Sequence, residues 1–335
     1  MQKGQRISRR ALSLRVHMPA NPLPEKTKSV ETGVEMMFLD NRLNLDLTYY
    51  NSKMQDLYMI ATNASGLSEP VNSGKVRNQG IEATVGYNFR FGKNWSWRTS
   101  YNVSFNDNKI LETSYEEDGS EKLIYNDLMG VRVRYRKGGS IGDMYVTDFK
   151  RDENGHYVLD SDGAPQLETE ANKQYGVYAG NMNSKWQMGW SNTIRYKDFS
   201  LFFLINGRIG GKVISFTEAY LDGSGLSERT AEARQYAEQH NLVASGYGQG
   251  MYLPDGSNRV VPITSYYKGI GGASPASSQY IYNGTNFRLR ELSLGYTFRN
   301  LIGENKNLTL SFIARNLFFI YKDSPVDPDV SLSTA

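Results

Sequence analysis

Cysteine is absent from the 335 residues. That excludes a disulfide-stapled fold and any thiolate metal site. No run of about 18 apolar residues exists, so no helix can cross a membrane. The same absence does not exclude spanning strands, which need only about 10 residues of alternating pattern. Charge of one sign is also lacking: the net value is +3, with both signs interspersed and no basic block of the kind that binds nucleic acid. The 3 histidines, His17, His156 and His240, lie far apart and share no spacing with carboxylates. With no nucleophile set beside a base, the sequence predicts neither an enzyme nor a bound cofactor. Met1 to Arg10 is basic but no apolar core or small-residue cleavage site follows, so it does not match a secretory leader. Bulk hydropathy, with a mean of -0.54, describes a polar protein of one large domain or two ordinary ones.

What is present is aromatic and flexible: 23 Tyr, 14 Phe, 4 Trp and 32 Gly. Aromatics favour strands and glycine permits their turns. Period-two alternation then recurs along the chain. Val30, Thr32, Val34, Met36 and Phe38 share one face, opposite Glu31, Gly33 and Glu35. After Asp40-Asn41 the chain returns with Leu43, Leu45, Leu47 and Tyr49 opposite Asn44, Asp46, Thr48 and Tyr50. A second pair, 81–91 and 95–106, turns at Gly92-Lys93. A third, 186–196 and 199–205, turns at Lys197-Asp198, and there Phe202 and Leu204 interrupt the polar face. The fourth pair is 286–298 and 306–321, with phase slips near Leu289 and Asn316 that suit β-bulges.

The connections alternate as well. Those near 40, 92, 197 and 302 are short; 61–75, 111–182 and 217–284 are long. Short turns at one end and long loops at the other are the pattern of an outer-membrane barrel. The expectation is therefore an all-β, antiparallel, up-and-down transmembrane β-barrel fragment of about eight strands. Residues 1–26 would be a linker, 27–322 the partial barrel, and 323–335 an outer loop. Trp95 and Trp97 beside a short turn, and Trp186 and Trp190 toward the far end, suit interfacial aromatic belts. Ser227 to His240 reads as one short loop helix with Ser227 as N-cap.

Several loop features admit two readings. Asp152-Glu153-Asn154-Gly155 and Asp160-Ser161-Asp162-Gly163 resemble pieces of a calcium loop, but Asn-Gly and Asp-Gly are turn formers first. Gly138-Gly139-Ser140-Ile141-Gly142 lacks the strand–helix setting of a phosphate loop. Tyr220, Tyr247, Tyr252, Tyr266 and Tyr267 could stack on sugars or peptides; the plainer alternative is packing within the loops.

The order of local motifs carries a resemblance. Asn21-Pro22-Leu23-Pro24-Glu25 precedes Glu31-Thr32-Gly33-Val34-Glu35, then Asn41-Arg42-Leu43 with Tyr49-Tyr50 and Asp56-Leu57. Val76-Arg77-Asn78-Gln79-Gly80-Ile81-Glu82, Gly207-Arg208-Ile209-Gly210-Gly211 and Phe287-Arg288-Leu289-Arg290-Glu291-Leu292-Ser293-Leu294-Gly295-Tyr296 follow. Arg315-Asn316-Leu317-Phe318 and Asp327-Pro328-Asp329 complete the series. From about Asn21 onward the chain resembles the C-terminal half of the SusC/RagA family of TonB-dependent outer-membrane transporters. That resemblance implies a barrel of roughly 22 strands around a plugged lumen, in the outer membrane of a Gram-negative bacterium, with Bacteroidota the expected group. It implies import of an oligosaccharide or peptide, with a SusD-like lipoprotein and the TonB complex as partners. Glu82, Arg90, Arg98 and Asn102 would line the lumen. The plug, the TonB box and the final strand fall outside what these residues match, so this chain alone is expected neither to transport nor to insert properly. The competing reading is a β-rich surface module for carbohydrate binding or adhesion, without transport.

Overall fold

A computed structural model of the chain describes residues 23–62, 68–72, 74–115, 119, 121, 124–128, 130–170, 173–244, 246, 248–301 and 303–329. Most of the expected 1–26 linker, His17, Tyr247 and residues 330–335 lie outside them.

Eight antiparallel strands form one sheet: β1 (Lys26–Phe38), β2 (Leu43–Gln55), β3 (Lys75–Phe91), β4 (Trp95–Glu112), β5 (Trp186–Tyr196), β6 (Phe199–Ile209), β7 (Asn286–Phe298) and β8 (Leu308–Lys322). Each pairs with its neighbour in sequence, which is an up-and-down meander. The wall is open: β1 and β8 each pair on one side only. Strands extend further toward the long loops than alternation alone indicated, with β2 running to Gln55 and β4 to Glu112.

Register fixes the two faces, because cross-strand partners share a face. One row runs Met36–Leu45–Val85–Tyr101–Trp190–Ile205–Leu289–Phe318 across all eight strands. A parallel row on the opposite face runs Glu35–Asp46–Thr84–Asn102–Gly189–Asn206–Arg288–Phe319. Phe202 and Leu204 pair with Ser293 and Glu291, so they lie on this wet face. The dry face has no second layer against it: Leu47 is 47% exposed, Trp190 40%, Leu294 52% and Phe312 67%. An apolar surface of that extent is untenable in water, where patches rarely exceed a few hundred Å². Contact with hydrocarbon chains accounts for it.

The belts follow from the same register. Phe91, Trp95, Tyr196, Phe199 and Tyr296 form one level at the short-turn end. Ring centroids there lie 4.5 Å apart for both Trp95–Tyr196 and Phe199–Tyr296. At the far end Trp186 packs against Phe105 with tilted rings, centroids 4.8 Å apart. The strand joining these levels has 11 residues. That length is roughly 35 Å along the strand and about 25 Å of depth once tilted, the height of an outer-membrane apolar band. Trp190 departs from the expectation: it sits mid-band, where its indole N–H donates to Thr99 Oγ1 at 2.9 Å. Trp97 likewise donates to Asn192 Oδ1 at 2.9 Å. The Thr99 hydroxyl and the Asn192 carbonyl oxygen on the dry face are thus paired with indoles, which offsets the several kcal/mol an unpaired polar group costs in lipid.

The short turns stay short at 39–42, 92–94 and 197–198; the fourth spans 299–307. The slip expected near Leu289 is a bulge between Leu289 and Glu291 of β7, and it also shifts the register with β6 at Leu204/Ile205. Asn316, the other expected slip, takes φ 52 opposite that bulge.

The long loops are not loose. They carry a four-stranded sheet of 124–128, 131–135, 143–146 and 177–181, with further short strands. The expected helix forms as α2 (Glu228–Gln239), and its Ser227 cap accepts from the Thr230 N–H. Two more flank it, α1 (Phe216–Gly223) and α3 (Ile263–Ile270). The buried core lies here rather than in the wall. One cluster gathers Phe149, Tyr157, Leu253, Tyr266, Tyr267 and Ile270; another gathers Val131, Val133, Met144, Val146, Ile214 and Tyr280.

Candidate functional site

The wet face and its loop end hold the groups available to a solute. Two cavities flank the segment 181–185. The first, about 610 Å³, has Asn78, Asn106 and Asn108 from the tops of β3 and β4, with Ser140, Asn181 and Lys109 around them. Its acids are engaged. Asp143 accepts from Ser140 N, Tyr178 Oη and Asn181 Nδ2, at 2.8, 3.2 and 2.8 Å. Asp107 pairs with Lys185 at 2.6 Å. The second, about 540 Å³, lies between Gln187, Arg208, Lys212, Ser215, Asp327 and Pro328.

A charged clamp stands beside this second cavity. Arg208 of β6 and Arg288 and Arg290 of β7 converge on Asp329, at 3.5, 3.2 and 2.8 Å. Arg288 also pairs with Asp327 and lies 3.9 Å over the Phe319 ring. Burial works to raise the Asp327 pKa, but the Arg288 contact, the Asp329 N–H and the Arg290 charge together outweigh it and hold the carboxyl below its ordinary value. The segment after β8 is thereby tied across the mouth. Charge-assisted pairs to guanidinium forks make such a tie directional as well as strong.

The motif residues occupy structural corners. Gly80 lies beneath the Tyr50 ring, and Glu82 lies on the wet face opposite Ser104. Gly210 and Gly211 take φ +81 and +78, which ends β6 in a turn that other residues rarely adopt. Leu289 is on the dry face at the bulge, and Glu291 pairs with Arg315 at 3.0 Å. Asn316 accepts from Arg290 at 2.8 Å. Gly295 fits between Ser200 and Ser311, and Tyr296 belongs to the lower belt.

The loop tyrosines divide. Tyr220 and Tyr252 are exposed, at 47% and 50%. Tyr266 and Tyr267 are buried in the loop core, Tyr267 donating to Arg229 O at 3.2 Å, so neither presents a ring to solution. Burial pushes both phenols' pKa values up. A signal for this was in the sequence: Ile263, Tyr266, Tyr267 and Ile270 follow i, i+3, i+4, i+7 spacing, one face of a helix. Asp222 was missed entirely. It accepts from both Arg229 and Tyr280, the latter at 2.8 Å, from positions far apart in sequence.

The acidic turns close on themselves. Asp152 Oδ1 accepts from Asn154 N and His156 N, both at 2.9 Å, and Asp160 Oδ1 from Asp162 N and Ala164 N at 2.9 and 2.8 Å. Among the described residues no group of three or more His, Cys, Asp or Glu is arranged to hold a metal.

Known proteins share this architecture. The chain is 25% identical to TonB-dependent receptor P3 of Formosa agariphila over 92% of its length and 31% of the relative's. It is 24% identical to TonB-dependent receptor SusC of Bacteroides thetaiotaomicron, over 91% and 30%. Among solved structures, the RagAB peptide importer in its closed-closed state superposes with a TM-score of 0.63 at 18% identity, covering 91% of this chain and 33% of that one. The chain thus spans about a third of the length of these relatives. The model of the TonB dependent receptor-like β-barrel family matches residues 15–206, and the chain belongs to that family.

Proposed function

We propose that this chain forms part of a TonB-dependent importer in a bacterial outer membrane, supplying a sector of the barrel wall and its extracellular loops. The observation that carries this reading is the eight-strand register, with one apolar face uncovered and one polar face opposite it, which in a closed barrel would turn to the lumen. The short turns then lie on the periplasmic side and the packed loops outside. Glu82, Arg90, Arg98 and Asn102 line the path, and the cavities at 181–185 receive solute at its mouth. Family membership and the resemblance to SusC and RagAB support a SusD-like lipoprotein partner, TonB as energy source, and a glycan or peptide as cargo.

The test is uptake by intact cells. Deleting the gene, or removing TonB, abolishes uptake of the cargo that induces its expression. Unchanged uptake in both strains overturns the reading and favours a surface-binding module.

A further inference from the structure

A row of cations crosses the wall beyond the aromatic belt at the long-loop end. The register sets Lys28 of β1 against Lys53 of β2, Lys53 against Arg77 of β3, and Arg77 against Lys109 of β4. Their parity along the strands is that of Val34, Leu47, Ile81 and Phe105, so they stand on the dry side of the sheet. The carboxylates Glu31, Glu35, Asp46 and Glu82 have the other parity and belong to the wet side. Lys109 lies roughly 13 Å along β4 from Phe105 of the belt, about 10 Å in depth once tilted. Lysine stems bending back toward the bilayer bring their ammonium groups to headgroup level from there. Adjacent strands are about 4.8 Å apart, well inside the Debye length of about 8 Å. Like charges directly opposite one another destabilise a sheet, and here they follow one another across four strands. The carboxylates on this side are already engaged: Asp107 with Lys185 at 2.6 Å and Arg77 at 3.8 Å, Glu112 with Lys75 at 2.9 Å. Among the described residues none pairs with Lys28, Lys53 or Lys109, all of which are exposed. Arg77, between two of them, has an Nε–H without an acceptor. Lys109 stands where β5 has ended and also borders the first cavity.

We propose that Lys28, Lys53, Arg77 and Lys109 bind the phosphate groups of a glycolipid in the extracellular leaflet, whose acyl chains lie along the dry face below them. The proposal rests on the orientation given above, with the long loops outside, and not on transport. Four strands span about 14 Å, so the row reaches more than one phosphate of a headgroup. Basic clusters beside the apolar band of a membrane protein recognise anionic headgroups in this way. The flanking rows carry amides, Gln55 on one side and Asn51 and Gln79 on the other. Amides both donate and accept, which suits the hydroxyls of a sugar headgroup better than a glycerol one. A soluble polyanion is served less well, because the row opens beside the lipid-facing belt and not into the lumen.

The test is native mass spectrometry of the intact protein in detergent, titrated with diphosphoryl lipid A, its dephosphorylated form and phosphatidylglycerol. Diphosphoryl lipid A binds, and the other two bind at least about tenfold more weakly. Affinity falls about fivefold with each of Lys28→Gln, Lys53→Gln and Lys109→Gln. The protein with arginine at the same three positions retains charge and affinity. Lys93→Gln, Lys197→Gln and Lys306→Gln together take as much charge from the short-turn end and leave binding unchanged. Excess inorganic phosphate does not displace the lipid. Equal binding of the dephosphorylated form or of phosphatidylglycerol overturns the proposal, as does an unaltered triple glutamine variant. An equal loss in the short-turn variant, or displacement by inorganic phosphate alone, also overturns it. Uptake is not among the readouts, so phosphate-dependent binding stands even where import fails, and import stands where this binding fails.

Discussion

The Tyr50 hydroxyl accepts a 2.7 Å hydrogen bond from the Asn106 amide, reaching it across the bare backbone of Gly80. A Cβ at Gly80 would stand 2.2 Å from Phe105 O and 2.5 Å from Tyr50 Oη. Neither the backbone oxygen nor a hydrogen-bonded ring yields cheaply. Gly80→Ala is expected to cost about 2 kcal/mol. The readout is the temperature at which the heat-modifiable band on a gel is lost; an unchanged temperature would show that the ring moves aside freely.

A buried network ties the third long loop, 217–284, together. Asp222 has no exposed side-chain surface and binds both Arg229 and Tyr280. Asp222→Asn leaves the Arg229 charge without its partner, at a cost of about 2–3 kcal/mol after allowing for solvent at that guanidinium. Proteolysis of intact cells should then cut the 217–284 loop sooner while the wall stays intact. Simultaneous loss of wall and loop would mean that the two do not unfold separately.

Acid should loosen the same loop. Burial tends to raise the Asp255 pKa, but hydrogen bonds from Ser257, Tyr157 N and Arg259 outweigh it and hold the carboxyl well below its ordinary value. A depressed folded-state pKa stabilises at pH above the unfolded value of about 3.9, and that stability is lost progressively as pH falls from there through the lower folded-state value. Loop protection against hydrogen exchange should therefore decline below about pH 4. In Asp255→Asn the decline should be shallower, and an identical pH profile would remove Asp255 from the account.

The two faces of one strand should respond oppositely to charge. Val85→Arg places a guanidinium on the dry face of β3 and is expected to cost about 2–4 kcal/mol. Thr84→Arg, its neighbour on the wet face, should fold with little loss. Equal tolerance at both positions contradicts the faces assigned by register.

Much of this was legible in the sequence, and unevenly so. Alternation revealed the strands because one face meets lipid and the other water, which is the condition that makes a period of two visible. The slips at Leu289 and Asn316 marked true bulges for the same reason. Where both faces of a segment are covered by protein, as at Val131 to Val146, alternation gave no sign of a packed sheet. The loop core depends on contacts such as Asp222 with Tyr280, whose sequence separation carries no local pattern. The clamp of Arg208, Arg288 and Arg290 on Asp329 is invisible for a similar reason: the ends of two strands, β6 and β7, meet a segment beyond β8. Tyr266 and Tyr267 are the exception, since their helical spacing with Ile263 and Ile270 was there to be seen.

The absence of cysteine makes the decisive measurement clean, because each introduced thiol is the sole label site. Spin labels placed singly at 45, 46, 47, 48, 101, 102, 103 and 104 in bilayers report accessibility to oxygen and to a water-soluble nickel chelate. The account predicts strict alternation, with odd positions open to oxygen in the hydrocarbon and even positions open to the chelate. Labels at 45, 47, 101 and 103 that are shielded from both reagents would place protein against that face and contradict it.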